Sequence, residues 1–157
     1  PEALSFAKKK TEETEIYNLE FIMGTAYQLP FRNDSFSHAV AAEVIEHLLY
    51  PEKMLAEIRR VFNDKGRILI TTPIRQSERP VDPNHVREFS RFEFKKMLAP
   101  FFAKVEIIDS HPDFIVRLNR KSMYKFFLNL INVITGFNPF ETSGWRKNVQ
   151  QIAIVES

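Results

Sequence analysis

The stretch Gly24–Pro73, GTAYQLPFRNDSFSHAVAAEVIEHLLYPEKMLAEIRRVFNDKGRILITTP, decides how this chain is read. Within it an apolar run, Ala39–Ala42, stops at a polar knot, Glu43-Val44-Ile45-Glu46-His47. Pro51 then suits the first turn of a helix. Met54, Leu55, Ile58, Val61 and Phe62 recur at helical spacing and form one apolar stripe. Asn63-Asp64-Lys65-Gly66 carries the residues of a helix stop and a turn. A second apolar run, Ile68–Thr71, closes at Pro73. The order is strand, loop, helix, turn, strand: a βαβ unit. Ligands in open parallel sheets sit outside the carboxyl ends of the strands, so the polar knot is where chemistry is expected.

Working outward, Pro1–Thr14 reads as a helix, with Glu2 near its positive end and Lys8–Lys10 near its negative end. Leu19–Met23 reads as a short strand ending at Gly24, followed by a loop over Tyr27–Ser35. His38–Ala42 is apolar on both faces, as a covered parallel strand is. Beyond Pro73 lies a loop of about 15 residues that holds Pro80, Pro83 and His85, long enough to suggest function. Ser90 and Glu93 have the S-x-x-E spacing of a capping box, and Phe89 with Phe94 suits a hydrophobic staple. Pro100 should end that helix. Strands are expected over Lys104–Asp109 and Val149–Val155. Between them Ser122–Thr135 reads as a helix with two apolar faces, suited to a lid over a greasy acceptor, a homodimer contact, membrane-surface docking or plain core. Strand–helix alternation over 157 residues indicates one α/β domain with a mostly parallel sheet.

Composition narrows the function classes. There is no cysteine, which removes disulfides, thiol catalysis and thiolate metal sites and is compatible with a reducing, cytoplasmic setting. The net charge of +2 and the lack of a long basic block give no reason to expect nucleic acid as a partner. The longest apolar stretch, Phe126–Phe137, is interrupted and falls short of the roughly 20 residues that span a bilayer, so no transmembrane segment is expected.

Gly24-Thr25-Ala26, Leu29-Pro30-Phe31, Asp34-Ser35-Phe36, Glu43-Val44-Ile45-Glu46-His47-Leu48, Glu57-Ile58-Arg59-Arg60-Val61-Phe62, Gly66, Thr72-Pro73 and His85–Ser90 follow one another in an order that resembles the class I S-adenosylmethionine-dependent methyltransferases. The branch most similar is the type 11, ubiquinone-biosynthesis-like one, over roughly residues 1–110. The resemblance implies a Rossmann-like sheet with a C-terminal antiparallel strand, an inserted helix at about 121–136, and S-adenosyl-L-methionine as cofactor. It also implies that the first two strands of that fold are missing, because no G-x-G turn occurs among the four glycines. On that basis the isolated chain is expected to bind the cofactor weakly or not at all, and to be inactive alone.

The resemblance assigns the cofactor to Gly24, Thr25, Ala26, Leu29, Glu43 and Val44. Thr25 stands where the family commonly has an acid for the adenine amino group; it serves equally as an ordinary strand-end turn. Leu29 would pack by the adenine or simply in the core. Ser37 replaces a family aspartate whose role is structural. His47, His85 and Glu46 are the candidate catalytic residues, because methyl transfer to a hydroxyl needs a base for its proton. The E-x-x-E-H spacing, with His85, also resembles the metal site of small-RNA 2′-O-methyltransferases, so Glu43, Glu46, His47 and His85 are candidate ligands of a divalent ion. The plainer reading is that Glu46 and His47 hold the strand-to-helix turn, with no metal. His38 and His111 are expected to be structural. The implied activity is methyl transfer to a small-molecule or lipid- or glycan-linked acceptor at oxygen. The rival is a non-catalytic remnant used for binding or assembly.

Overall fold

The computed structural model describes residues 2–14, 18–80, 82–112, 133, 135 and 148–156. Its elements are α1 (Glu2–Glu13), β1 (Phe36–Ala42), a short 3-10 turn (Ile45–His47), α2 (Pro51–Val61), β2 (Phe62–Pro73), α3 (Arg91–Leu98), β3 (Lys104–Pro112) and β4 (Asn148–Glu156). The inserted helix expected at 121–136 lies almost wholly outside the described residues; Val133 and Thr135 are helical.

The sheet has the order β1-β2-β4-β3. β1 pairs parallel with β2, while β4 runs antiparallel to both β2 and β3. Three strands therefore share one direction and β4 opposes them. This is the mostly parallel α/β sheet with a C-terminal antiparallel strand that the alternation of elements predicts.

One face of the sheet carries the core. Ile68, Ile70 and Thr72 of β2 and Ala153 and Val155 of β4 alternate inward and are fully buried. Met54, Leu55, Ile58 and Val61 of α2 and Phe94 and Leu98 of α3 are buried as well, and most of these side chains join one cluster with Ile45, Phe89 and Phe102. The capping box forms: the Ser90 side chain accepts from the Glu93 amide and the Glu93 carboxylate accepts from the Ser90 amide. The Phe89 and Phe94 rings lie 6.1 Å apart, closing the staple.

Three expectations are corrected. Leu19–Met23 is not a strand, and Leu19, Ile22 and Met23 are exposed. A strand exists through its ladder partners, and among the described residues none lies beside this segment. For the same reason β1 is an edge strand rather than a covered one: Val40 is 72% exposed, and His38 is on the surface. Finally, Asn63–Gly66 does not leave the ladder as a separate turn; β2 runs on through it. The surplus residues produce a register jump, from Phe36↔Phe62 to His38↔Arg67. Gly66 is required there, since a Cβ at this position would overlap the Ser37 carbonyl oxygen.

Candidate functional site

β1 ends at Ala42, and the next residue leaves the sheet abruptly. Glu43 has φ of 54°, a left-handed conformation that non-glycine residues adopt at a cost. Its amide stays tied to β2 through the Thr71 carbonyl at 3.2 Å. Its carboxylate Oε1 accepts from the Thr71 hydroxyl at 2.8 Å and from the Gln150 side-chain amide at 2.8 Å. Glu43 is thus held at the mouth of β1 by neighbours on β2 and β4. Val44 is half-buried against the core.

The reversal at Glu43 turns Glu46 inward. Its carboxylate is fully buried, and Oε2 accepts from the equally buried Thr72 hydroxyl at 3.0 Å. Oε1 has no hydrogen-bond partner among the described residues. Burial raises the carboxyl above its ordinary value; hydrogen bonds to the residue's own backbone and from Thr72 oppose the rise. The Glu46 carbonyl accepts from the Val86 and Arg87 amides at 2.9 and 3.1 Å, which fastens the loop after β2 onto the loop after β1.

That fastening delivers His85. The His47 and His85 rings meet edge to face with centroids 4.9 Å apart. His47 Nδ1 lies 3.0 Å from the Asn84 carbonyl, which can only accept, so Nδ1 carries the proton. His85 Nδ1 donates likewise to the Glu88 carboxylate at 2.9 Å. The Nε2 atom of each ring is the one not engaged by these contacts, and His47 Nε2 is 3.9 Å from Glu46 Oε1. Ligand-type atoms of Glu46, His47 and His85 all lie within 4.8 Å of one another. The three side chains named from the sequence as catalytic candidates are brought together, although 37 positions separate His47 from the Asn84 carbonyl that orients it. The donor set suits a divalent ion at these three residues. Glu43, the fourth candidate ligand, is turned to Thr71 and Gln150 instead.

On the cofactor side, Gly24 and Thr25 are exposed, and Thr25 closes a tight corner with Gln28. Ala26 packs against the core cluster. Leu29 is half-buried. The corner lies beside the start of α2: the Tyr27 hydroxyl accepts from the Tyr50 amide at 3.3 Å, three residues after His47. The Thr25 hydroxyl accepts from the Tyr27 amide at 3.3 Å. A hollow of about 830 Å3 lies further along, walled by Glu88, Phe89, Val86, Arg87, Met97 and Phe101 among others; neither Thr25 nor Glu43 lines it.

Thr71, Thr72, Glu88 and Gln150 belong to the site and were missed in the sequence. Two signals were there: paired threonines before Pro73 at a strand end, and the His85-x-x-Glu88 spacing.

A family model described as a methyltransferase domain matches residues 1–70. The chain is 32% identical over 108 residues to an uncharacterized methyltransferase, YcgJ, of Bacillus subtilis (strain 168), over 62% of this chain and 41% of that protein. It therefore spans about two fifths of that curated relative's length. Among solved structures it is similar to a methyltransferase from Thermotoga maritima described as a possible histamine N-methyltransferase. That likeness has a TM-score of 0.64 at 17% identity and covers 94% of this chain and 69% of the other. A phosphoethanolamine N-methyltransferase of Haemonchus contortus, solved with S-adenosylhomocysteine, aligns with a TM-score of 0.56 at 12% identity over 85% of this chain and 36% of that one. The fold is that of the S-adenosylmethionine-dependent methyltransferases, and over residues 1–70 the sequence matches a methyltransferase domain.

Proposed function

We propose that the protein transfers a methyl group from S-adenosyl-L-methionine to a hydroxyl oxygen of a small-molecule or lipid- or glycan-linked acceptor. One observation carries the choice of oxygen: two imidazoles, each tied down through Nδ1, stand beside a buried carboxylate at the carboxyl end of β1. When bound, the cofactor supplies an electrophilic methyl on a sulfonium that is already a good leaving group. The chain itself has to align the acceptor and remove its proton. His47 Nε2 or His85 Nε2 receives that proton, and Glu46 Oε1 offsets the positive charge formed on the ring. Gly24, Thr25, Ala26 and Leu29 take the adenine end, with Glu43 and Val44 at the mouth of β1.

The test has two stages. S-Adenosylhomocysteine titrated into the full-length protein should release heat at micromolar concentrations. Methyl transfer from labelled cofactor into a panel of hydroxyl, amine and thiol acceptors should then favour hydroxyls. Transfer confined to amines refutes the assignment to oxygen.

A second reading is favoured by the clustering of Glu46, His47 and His85 within 4.8 Å. A divalent cation held there would orient an acceptor hydroxyl and lower its pKa. Turnover lost on chelation and restored by added cation supports the ion; full turnover after chelation rejects it.

A further inference from the structure

The corner assigned to the adenine lies in a long exposed connection with little order of its own. Between residues 18 and 35 the local hydrogen bonds are few: Gln28 amide to Thr25 carbonyl, Phe31 amide to Leu29 carbonyl, Tyr27 amide to Thr25 hydroxyl and Ser35 hydroxyl to Arg32 carbonyl. What fixes the segment comes from α2. The Glu57 carboxylate accepts from the Leu29 amide at 2.7 Å. The Arg60 guanidinium donates to the Leu29 carbonyl at 3.0 Å, the Phe31 carbonyl at 2.8 Å and the Asn33 side-chain oxygen at 3.0 Å. Arg60's own carbonyl accepts from the Asp34 amide at 3.1 Å. Glu57 and Arg60 also grip each other through two contacts of 2.8 Å. The amide of Leu29 and its carbonyl are thus held by the two members of one ion pair.

We propose that Glu57 and Arg60, which lie outside the catalytic cluster, are positioning residues that set the cofactor-binding geometry of the Gly24–Leu29 corner. The link to the corner is short. Pro30 follows the clamped Leu29, and its ring packs so close to Gly24 that a Cβ there would stand 3.1 Å from Pro30 Cδ. Holding Leu29 therefore holds Pro30 against Gly24 and fixes the turn that carries Thr25. A rigid fork of donors is suited to such a clamp, since one guanidinium reaches two carbonyls and an amide oxygen at once, which an ammonium does not. The pair is not what folds α2. That helix is anchored by Met54, Leu55, Ile58 and Val61 on its other side.

The inference rests on the reading that this corner binds the cofactor, and the experiment separates the two. S-Adenosylhomocysteine is titrated calorimetrically into the full-length protein and its Arg60→Met, Arg60→Lys and Glu57→Gln variants. Amide hydrogen exchange is followed over residues 24–34 and over α2. Loss of charge-assisted hydrogen bonds from the clamp should weaken binding at least about tenfold in Arg60→Met and Glu57→Gln. Arg60→Lys should recover only part of it, because the charge returns without the fork. Exchange should quicken at Leu29 and Phe31 while the α2 amides stay protected. Failure of the unaltered protein to bind removes the methyltransferase reading itself. Binding by the unaltered protein with equal affinity in Arg60→Met overturns the clamp alone. Weaker binding accompanied by loss of α2 protection also overturns it, since the pair would then serve the helix and not the corner.

Discussion

The hydroxyl of Thr72 donates to Glu46 Oε2 at 3.0 Å, and both residues are wholly shielded from solvent. An acid from the loop after β1 is thereby locked to the end of β2. It holds one oxygen satisfied and the other without a hydrogen bond among the described residues.

Replacing Thr72 by valine keeps the volume and removes the donor. Glu46 then loses the hydroxyl that Thr72 donates in the buried site, and the cost should be about 1–3 kcal/mol of unfolding free energy. Urea denaturation of the full-length variant checks this; an unchanged midpoint shows that the bond contributes nothing.

Glu46→Gln should separate stability from activity. The amide retains an oxygen for Thr72 and gains a donor, without the charge whose burial opposes ionisation. The melting temperature at neutral pH should hold or rise, while methyl transfer should fall by about 10²-fold or more through loss of the charge beside the histidines. A variant as active as the parent excludes Glu46 from the reaction.

Gly66→Ala drives a methyl into the Ser37 carbonyl where β1 and β2 change register. Backbone cannot yield as a side-chain tip does, so destabilisation of about 1–3 kcal/mol or more is expected. Thermal melts of the two proteins, run side by side, measure it.

The Glu57 carboxyl is held down to about 2 by hydrogen bonds from Arg60 first and from the Leu29 amide second. A depressed carboxyl stabilises the fold at pH values above its unfolded value, and the contribution disappears as pH falls through the folded value. The stability gap between the parent and Glu57→Gln should therefore be constant above about pH 5 and close progressively between the ordinary value of 4.5 and about 2. Denaturant titrations at about pH 7, about pH 4 and about pH 2.5 sample that window and measure the gap; a gap independent of pH contradicts the assignment.

Ser90→Ala removes the hydroxyl that accepts from the Glu93 amide and abolishes the box at the start of α3. A loss of about 1 kcal/mol is expected. Ser90→Asp should restore most of it, and equal stability of all three proteins would show the cap to be idle.

The local elements were legible because each carries its own periodicity or its own cap. The stripe from Met54 to Val61 writes α2, and Ser90 with Glu93 writes the start of α3; both need only neighbours within a few positions. Glu46, His47 and His85 were legible as reactive side chains at a strand end and in a long loop. Leu19–Met23 misled, because an apolar run signals a need for partners and not their presence. Thr71 and Thr72 were marked only as a strand end before Pro73, and Gln150 not at all, since the acids they face lie far away in the chain.

The sequence alone determined the helices α2 and α3, the strand cores at Ala39–Ala42 and Ile68–Thr71, and which side chains could carry protons. Tertiary structure decided that Glu43 looks to Thr71 and Gln150 while Glu46 looks to Thr72 and the two imidazoles. The physical reason is that side-chain direction after a strand depends on one backbone reversal, here the positive φ of Glu43, and on hydrogen bonds that close only when distant strands meet.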